Sequence, residues 1–513
     1  MMKGNMERII TQWFRRHREQ LKTLLIVVFI AGAAAQSAML WARVLTRDSI
    51  PWPGLRAHAE ASAKLSEKTD HRAGAMPVRF AVRNEEGIYG IQYNQLGLEE
   101  AYEETAAVWA QACAHTKKGT AVDTETYRRA LLQPMMMMQY DGLIPMEIVA
   151  GWLGCELPEA LSGQVVGSMA LCQEKDGYML YLRDSAKNIR AAVPTSVDKQ
   201  AFDAAITQFE PNDCTLGAEQ DKTVSPDLLY FPGGESFDMM LFDNYTGGDG
   251  MYDILTAFDM DAETALDRAY AADRVMVYVS GRNTVHIGED GLMRFEGNIR
   301  LPVQAGEHVM QCVQMGSDLT GEILEAIDCG ASASLISAYR DADTGHLITV
   351  YGMQIGGVPV DNTATGYFAR YEFDANALIR AHLALRTCQS SGETITVMPE
   401  KQVAASLQSV QDAQLHLRYV DRAVDTGSTW DTTGADDVWN AENQEVQDTE
   451  NWEELSEQAE TQADAGTPVM PQWYVLRYGE EEILPEFGRT IEPEDIVYVR
   501  PDFDRMIQGG HAS

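Results

Sequence analysis

The feature that most restricts this chain is the run "TLLIVVFIAGAAAQSAMLWA", residues 23–42, twenty residues without a charge. As a helix rising ~1.5 Å per residue, it matches the ~30 Å of a bilayer's hydrocarbon. Residues 1–22 carry Lys3, Arg8, Arg15, Arg16, Arg18 and Lys22 against Glu7 and Glu19, a net of +4. A basic flank before the first apolar segment keeps the amino terminus in the cytoplasm and sends the rest outward. The expectation is a single-pass protein of the cell membrane with the bulk of its chain extracellular. Ala33 and Ala35 also fit a signal-peptidase pattern, and cleavage after Ala35 would release a secreted protein. The apolar stretch continues through Met39, Leu40 and Trp41, which favours the anchor.

Within this run, Ala31, Gly32, Ala33, Ala34, Ala35, Ser37 and Ala38 form a dense patch of small residues around Gln36. Facing lipid, the glutamine amide is costly. Facing another helix, the small side chains allow close backbone approach and the amide hydrogen-bonds across. Ala31, Gly32, Ala35 and Gln36 are therefore the candidate partner-packing residues.

The remaining chain is long, 513 residues in all, and strongly acidic, with a net charge of −37. That charge repels nucleic acid and anionic lipid from the bulk of the chain, so no nucleic-acid partner is expected. Seven cysteines without a CxxC pair exclude a complete disulfide framework, because one thiol is always left over. Buried core thiols, with room for one or two bridges, are the expectation.

Residues 43–75 are polar, with Pro51 and Pro53, and read as a juxtamembrane stalk. Three α+β units follow, over 76–222, 223–298 and 299–510. In the first, "PVRFAVRN" and "EEGIYGIQYN" read as paired strands. A helix places Leu98, Tyr102, Ala106, Trp109 and Cys113 on one face, and a second helix is capped by Asp123 and stopped by Pro134. Met135–Met138 read as core filling at an irregular segment. Residues 165–194 form a meander, and Ser196 is the expected first residue of the helix after it. In the second unit, "LLYFPGG" is a strand and "GMYDILTAFDMD" a helix.

In "VMVYVSGRNTVHIGEDGLMRFEG" the glycines sit at turns between alternating strands, as hairpins require. No helix follows to offer amides to a phosphate, and His286 has no second ligand at metal spacing. In the third unit, "EHVMQCVQMG" reads as a strand and "DLTGEILEAIDCG" as a helix ended by Gly330. Two strands turn at Asp343-Thr344-Gly345, and "GYFARYEFDANALIRAHLALRTC" supplies two more. "MPEKQVAASLQSV" is a helix and "AQLHLRYVDR" a strand. Residues 425–466 break the pattern: 425–464 hold thirteen acids and no Lys or Arg, an insertion solvated by its own charge. Strands resume at "MPQWYVLRY" and "DIVYVRPDF".

Motifs for nucleophilic, phosphate or metal chemistry do not emerge. "DADTGH" and "DNYTGGDG" lack the spacing of calcium loops and read as turns. No catalytic residue, metal ligand or cofactor is expected, so the reading is of a protein that is not an enzyme. Two alternatives stand beside it. One is an extracytoplasmic cell-envelope hydrolase using two carboxylates. The other is a secreted module that binds wall polymer or peptide.

In its order of elements the chain resembles the YycH family of Gram-positive bacteria. The resemblance rests on the basic start, the span, "PVRFAVRNEEGIYGIQYN", "GWLG", "LLYFPGG" and the "VYVSGRNTVHIGEDGLMRFEG" meander. "LITVYGMQIGGVPVDN", "FARYEFDANALIRAHLAL" and "PQWYVLRY" resemble the strand module that YycH shares with its companion YycI. The acidic insertion departs from that pattern. The resemblance implies an α+β architecture: one transmembrane helix, then two or three extracytoplasmic modules of antiparallel sheet with packed helices, the last YycI-like. It also implies an accessory of a two-component system, with a WalK-like sensor histidine kinase and a YycI-like protein as partners. Such a protein would adjust cell-wall metabolism through transmembrane and extracytoplasmic contacts, without catalysis.

Overall fold

A computed structural model describes residues 77–421, 469–478 and 496–499, apart from residues 176, 185–187, 195, 221–223, 232, 234, 249, 273, 302–307, 343, 363–364, 398 and 407–413. The span 23–42, the stalk 43–75 and the insertion 425–466 lie outside the described residues. The described chain is a sheet-dominated α+β fold.

"MMMMQYDGLIP" organises it. It forms a regular strand, Met135–Pro145, and not the irregular segment expected from four consecutive methionines. Alternate residues of a strand face opposite sides. Met136 and Met138 enter the main core, whereas Met135 and Met137 enter a second, smaller one, and all four are fully buried. A flexible thioether fills irregular space on either face, which is why one residue type serves both sides.

This methionine strand lies between the strand Arg79–Arg83 and the strand Val165–Glu174. Outward on one side comes Ile88–Gln92, and on the other Gly177–Arg183, Ile189–Ala192 and Thr120–Val122. All of these pairings are antiparallel, so the meander read over 165–194 is present, its last strand ending at Ala192. The helix Gln95–Cys113 covers one face with Leu98, Tyr102, Val108 and Trp109 buried. Asp123 caps the helix Thr124–Ala130 as read, accepting from the Thr126 amide at 2.7 Å.

Ser196 does not cap the next helix. Asp198 does, before Lys199–Thr207, while the Ser196 hydroxyl donates to the Gln111 carbonyl at 2.9 Å. A serine two residues short of the cap ties the loop to a neighbour instead.

A second antiparallel sheet is drawn from residues 270–300 and 332–384. Its strands run Tyr270–Ala272, Val275–Ser280, Asn283–Gly288 and Leu292–Arg300, then Ala377–Ala384, Ala369–Phe373, Leu347–Ile355 and Ser332–Arg340. The stretch over 275–297 is thus a meander. His286 stands opposite Val277 and Arg294 on it.

"EHVMQCVQMG" is helical, not a strand: one helix, His308–Ala326, absorbs it and most of "DLTGEILEAIDCG". Ten residues cannot separate strand from buried helix. The period becomes plain only when Cys312, Val313, Leu319, Thr320, Ile323 and Leu324 are read together, all buried. Gly316 lets this helix approach Tyr351, whose ring would lie 2.7 Å from an added Cβ. Among the strands the sequence reading misses are Ser236–Asn244 and all but the first three residues of Arg386–Thr396, which pair with each other.

The two sheets meet at the end of the methionine strand. Its pairing with Val165–Glu174 is interrupted between Gln139 and Ile144, and in that gap Leu143 pairs in parallel with Ser337. A Cβ on Gly142 would sit 1.9 Å from the Ile336 carbonyl oxygen, so only glycine fits the junction. Gly142→Ala should cost roughly 2–3 kcal/mol of stability in urea unfolding, as overpacking against backbone does. Gly321→Ala, in the same protein but with open space at the added Cβ, should instead gain about 0.5–1 kcal/mol, because alanine is the better helix former. A wild-type midpoint for Gly142→Ala would contradict this close approach.

Candidate functional site

Among the described residues, charged side chains gather where the strand Gln414–Asp421 crosses the junction of the two sheets. "LHLRYVD" alternates, and alternation alone would turn His416 and Arg418 to solvent. Both faces are covered instead: Leu415, Leu417 and Tyr419 are buried on one, His416 and Arg418 on the other.

Arg79 anchors the group. It is 1% exposed, and its guanidinium donates to Gln92 Oε1 at 3.2 Å, Gln139 Oε1 at 3.1 Å, the Tyr93 hydroxyl at 2.6 Å and the Leu415 carbonyl at 2.5 Å. Tyr93 in turn accepts from the Leu417 amide at 2.9 Å. Gln92 passes the network on to Glu400, whose other oxygen accepts from the Phe231 amide at 3.3 Å. Arg418 bridges Asp141 and Asp361. Arg183 donates to Asp227 at 2.5 Å and to Ser225 at 2.6 Å, and Ser168 donates to Asp227 at 3.0 Å. Burial raises the Asp227 carboxyl, yet Arg183 and the two serine hydroxyls outweigh it and hold the group below its usual range. For Asp141 the balance goes the other way: burial wins over Arg418, and its pKa is raised.

Gln139, Asp141, Ser168, Arg183, Asp184 and His416 are among the residues lining a cavity of about 20 Å³. That is room for one water molecule, not for a substrate. His416 has no protein hydrogen-bond partner at either ring nitrogen. Burial pushes its pKa well below the ordinary value, and the charges of Arg79, Arg418 and Arg183 push it further down. At neutral pH the ring is therefore an uncharged donor and acceptor. Ser168 has committed its proton to Asp227, so the arrangement does not present a hydroxyl for the imidazole to activate. Its chemistry is cohesion: paired charges and amides fastening strands from distant parts of the chain.

A carboxylate pair stands nearby. Glu235 is pushed up to about 7 by burial and then by the charge of Glu400. Both oxygens of Glu400 already accept hydrogen bonds, from Gln92 and from Phe231, which braces it in place. The paired acids of the hydrolase reading thus exist as residue types, with one member held as a strut.

The sequence candidates fall elsewhere. Ala31, Gly32, Ala35 and Gln36 lie outside the described residues. His286 is half-buried on its strand, its pKa lowered chiefly by burial. In "DADTGH", Asp341 accepts from the Thr344 amide at 2.8 Å, so its carboxylate closes a turn. Among the described residues, no three His, Cys, Asp or Glu side chains converge as a metal site would require. One cysteine pair, Cys329 and Cys388, forms a disulfide with Cα atoms 5.0 Å apart, while Cys113, Cys155, Cys172, Cys214 and Cys312 are not disulfide-bonded.

No family model matches this chain, and no curated protein does. Among solved structures, it is similar to YycH from Bacillus subtilis, with 11% identity and a TM-score of 0.41. The likeness covers 69% of this chain and 92% of that one. It is the family that the sequence resembles.

His416 gives the site a pH signature. A histidine whose folded pKa lies below its unfolded value of about 6.5 stabilises above that value and loses the contribution as pH falls beneath it. Between pH 7.5 and 5.5 the wild type should lose roughly 1 kcal/mol more stability than His416→Gln, which offers donor and acceptor without titrating. Parallel urea titrations at the two pH values measure the difference, and identical losses would place the imidazole in a solvated environment.

Proposed function

We propose that this protein is a non-enzymatic, membrane-anchored accessory regulator of a two-component sensor histidine kinase that governs cell-wall metabolism. The observation that carries the reading is the amino-terminal sequence: a +4 segment, twenty uncharged residues, and within them small side chains surrounding Gln36. A single span of this composition is built to pack against another helix. The partners are a WalK-like kinase and a YycI-like protein, through contacts in the membrane and outside it. The resemblance of the sequence to the YycH family supports this choice. The disulfide between Cys329 and Cys388 supports export, since such bonds persist in oxidising compartments and are rare in the cytosol. The buried charges support a body that serves as a rigid scaffold, because Arg79, Arg183, Arg386 and Arg418 are each engaged by other side chains.

The full chain in native membranes provides the test. A photo-crosslinking residue at Ala35 should capture a kinase transmembrane helix, and exchange of residues 23–42 for an unrelated apolar span should abolish regulation of kinase phosphorylation. Gln36→Leu should still insert, but bind its partner some five-fold more weakly, the value of about 1 kcal/mol for one interhelical hydrogen bond. Full regulation by the span-exchanged protein would overturn the proposal.

A further inference from the structure

One face of the second sheet carries a row of basic residues. Across the strands Asn283–Gly288, Leu292–Arg300, Ala377–Ala384 and Ala369–Phe373, the register sets Val285 opposite Phe295, Phe295 opposite Ala381, and Ala381 opposite Tyr371. All four are fully buried in the main core. The adjacent residue on each strand points to the other face. There His286 stands opposite Arg294, Arg294 opposite His382, and His382 opposite Arg370. No acid interrupts that row.

The neighbouring row on the same face differs. It runs Glu296, Arg380, Glu372, alternating in sign and so neutralising itself. Glu372 lies 3.6 Å from Arg380 and 2.6 Å from His346. Glu296 pairs with Arg294, yet Arg294 Nε is left without a partner. Arg370 and His382 make no hydrogen bond or ion pair among the described residues. Cations on directly opposed strand positions, with Cβ atoms ~5 Å apart, repel one another. An anion seated among them would turn that repulsion into attraction. Solvent reaches the row, because the Arg294 side chain is 26% exposed.

We propose that Arg294, His382 and Arg370 bind a compact phosphate group. Donors spaced by the ~4.8 Å between strands suit a tetrahedral anion, which accepts hydrogen bonds from several directions. Each arginine fork can hold two of its oxygens, and the His382 ring adds an N–H between the forks. The rest of the surface selects for size. A polyanion would have to lie along a chain of net charge −37, whereas a small anion stays within the ~8 Å screening length of these cations.

Binding is coupled to the imidazole. Burial, then the charges of Arg370, Arg294 and Arg380, push His382 down to about 4, against the opposing charge of Glu372. Glu296 and His286 complete the charged and titratable groups on the flanking strands. An anion in contact with the ring favours its protonated form and raises its pKa.

The test uses the full chain with isotope-labelled histidine, following the imidazole signals by NMR against pH. Inorganic phosphate and glycerol phosphate are the probes, with potassium chloride at matched ionic strength as control. Millimolar phosphate should raise the His382 midpoint by about one pH unit or more, the effect of an opposite charge in contact. It should also raise the urea midpoint of the wild type. Arg370→Gln should bind phosphate roughly ten-fold more weakly, with Arg370→Lys in between. Without phosphate, Arg370→Gln should be at least as stable as the wild type, since it relieves the repulsion; this keeps lost binding distinct from lost folding. Equal binding of glycerol phosphate assigns the site to the phosphoryl group of a larger ligand, and binding of inorganic phosphate alone assigns it to the free ion. A chloride control that reproduces the shift, or a shift that persists undiminished in Arg370→Gln, would end the assignment. Kinase regulation enters none of these readouts, so this inference and the proposed function fail separately.

Discussion

A guanidinium removed from water must recover its hydration from the protein, and Arg79 is where this fold meets that demand. The cost of burying a charge is several kcal/mol unless every donor finds an acceptor. Arg79 donates to Gln92, Gln139, Tyr93 and the Leu415 carbonyl, which lies 336 positions along the chain. Tyr93 accepts from Leu417 at the same place, so each strand's approach completes the other's hydrogen bonds. An apolar residue of similar bulk could fill the space, but it would accept any neighbour. The fork of an arginine accepts one geometry. Here it selects which carboxyl-terminal strand docks on the first strand pair.

The methionine strand supplies the continuity that makes such docking possible. It carries a core on each face and, past Gln139, leaves one sheet to touch the other through Leu143. Asp141, in that crossover, is also the acid that receives Arg418. Backbone pairing and charge pairing therefore converge within a few residues. Gly142 is the steric condition for both, because the Ile336 carbonyl occupies the place where any side chain would start.

The elements most legible in the sequence were those that solve their own problem locally. The meander of 275–297 carries its turns in Ser280–Asn283 and Gly288–Gly291, and Asp123 closes its own helix end. What the sequence obscured depends on residues far away. His416 and Arg418 alternate with apolar neighbours as an exposed face would, and only the docking of Arg79 and Asp361 buries them. The helix His308–Ala326 was split because its first half, read alone, has no decisive period, and Tyr351, which covers Gly316, comes thirty-five residues later. Strand Ser236–Asn244 was missed for a similar reason: its partner is Arg386–Thr396, and neither half alternates cleanly.

The interior also fixes where the acidity resides. Among the described residues, the buried bases are Arg79, Arg128, Arg183, Arg386 and Arg418, and the buried acids Asp227, Glu372, Glu400 and Asp421. The two sets nearly cancel, so almost all of the −37 belongs to the rest of the chain. A surface of that sign repels anionic polymer and lipid headgroups at close range, with a reach of ~8 Å at physiological salt. On the proposed reading, a body so charged is kept off the membrane plane by its own electrostatics. Contact with a kinase is then left to the uncharged span and to surfaces whose partners are cationic. The same chain begins with six cations clustered ahead of residue 23. On that reading they are needed on the other side of the membrane.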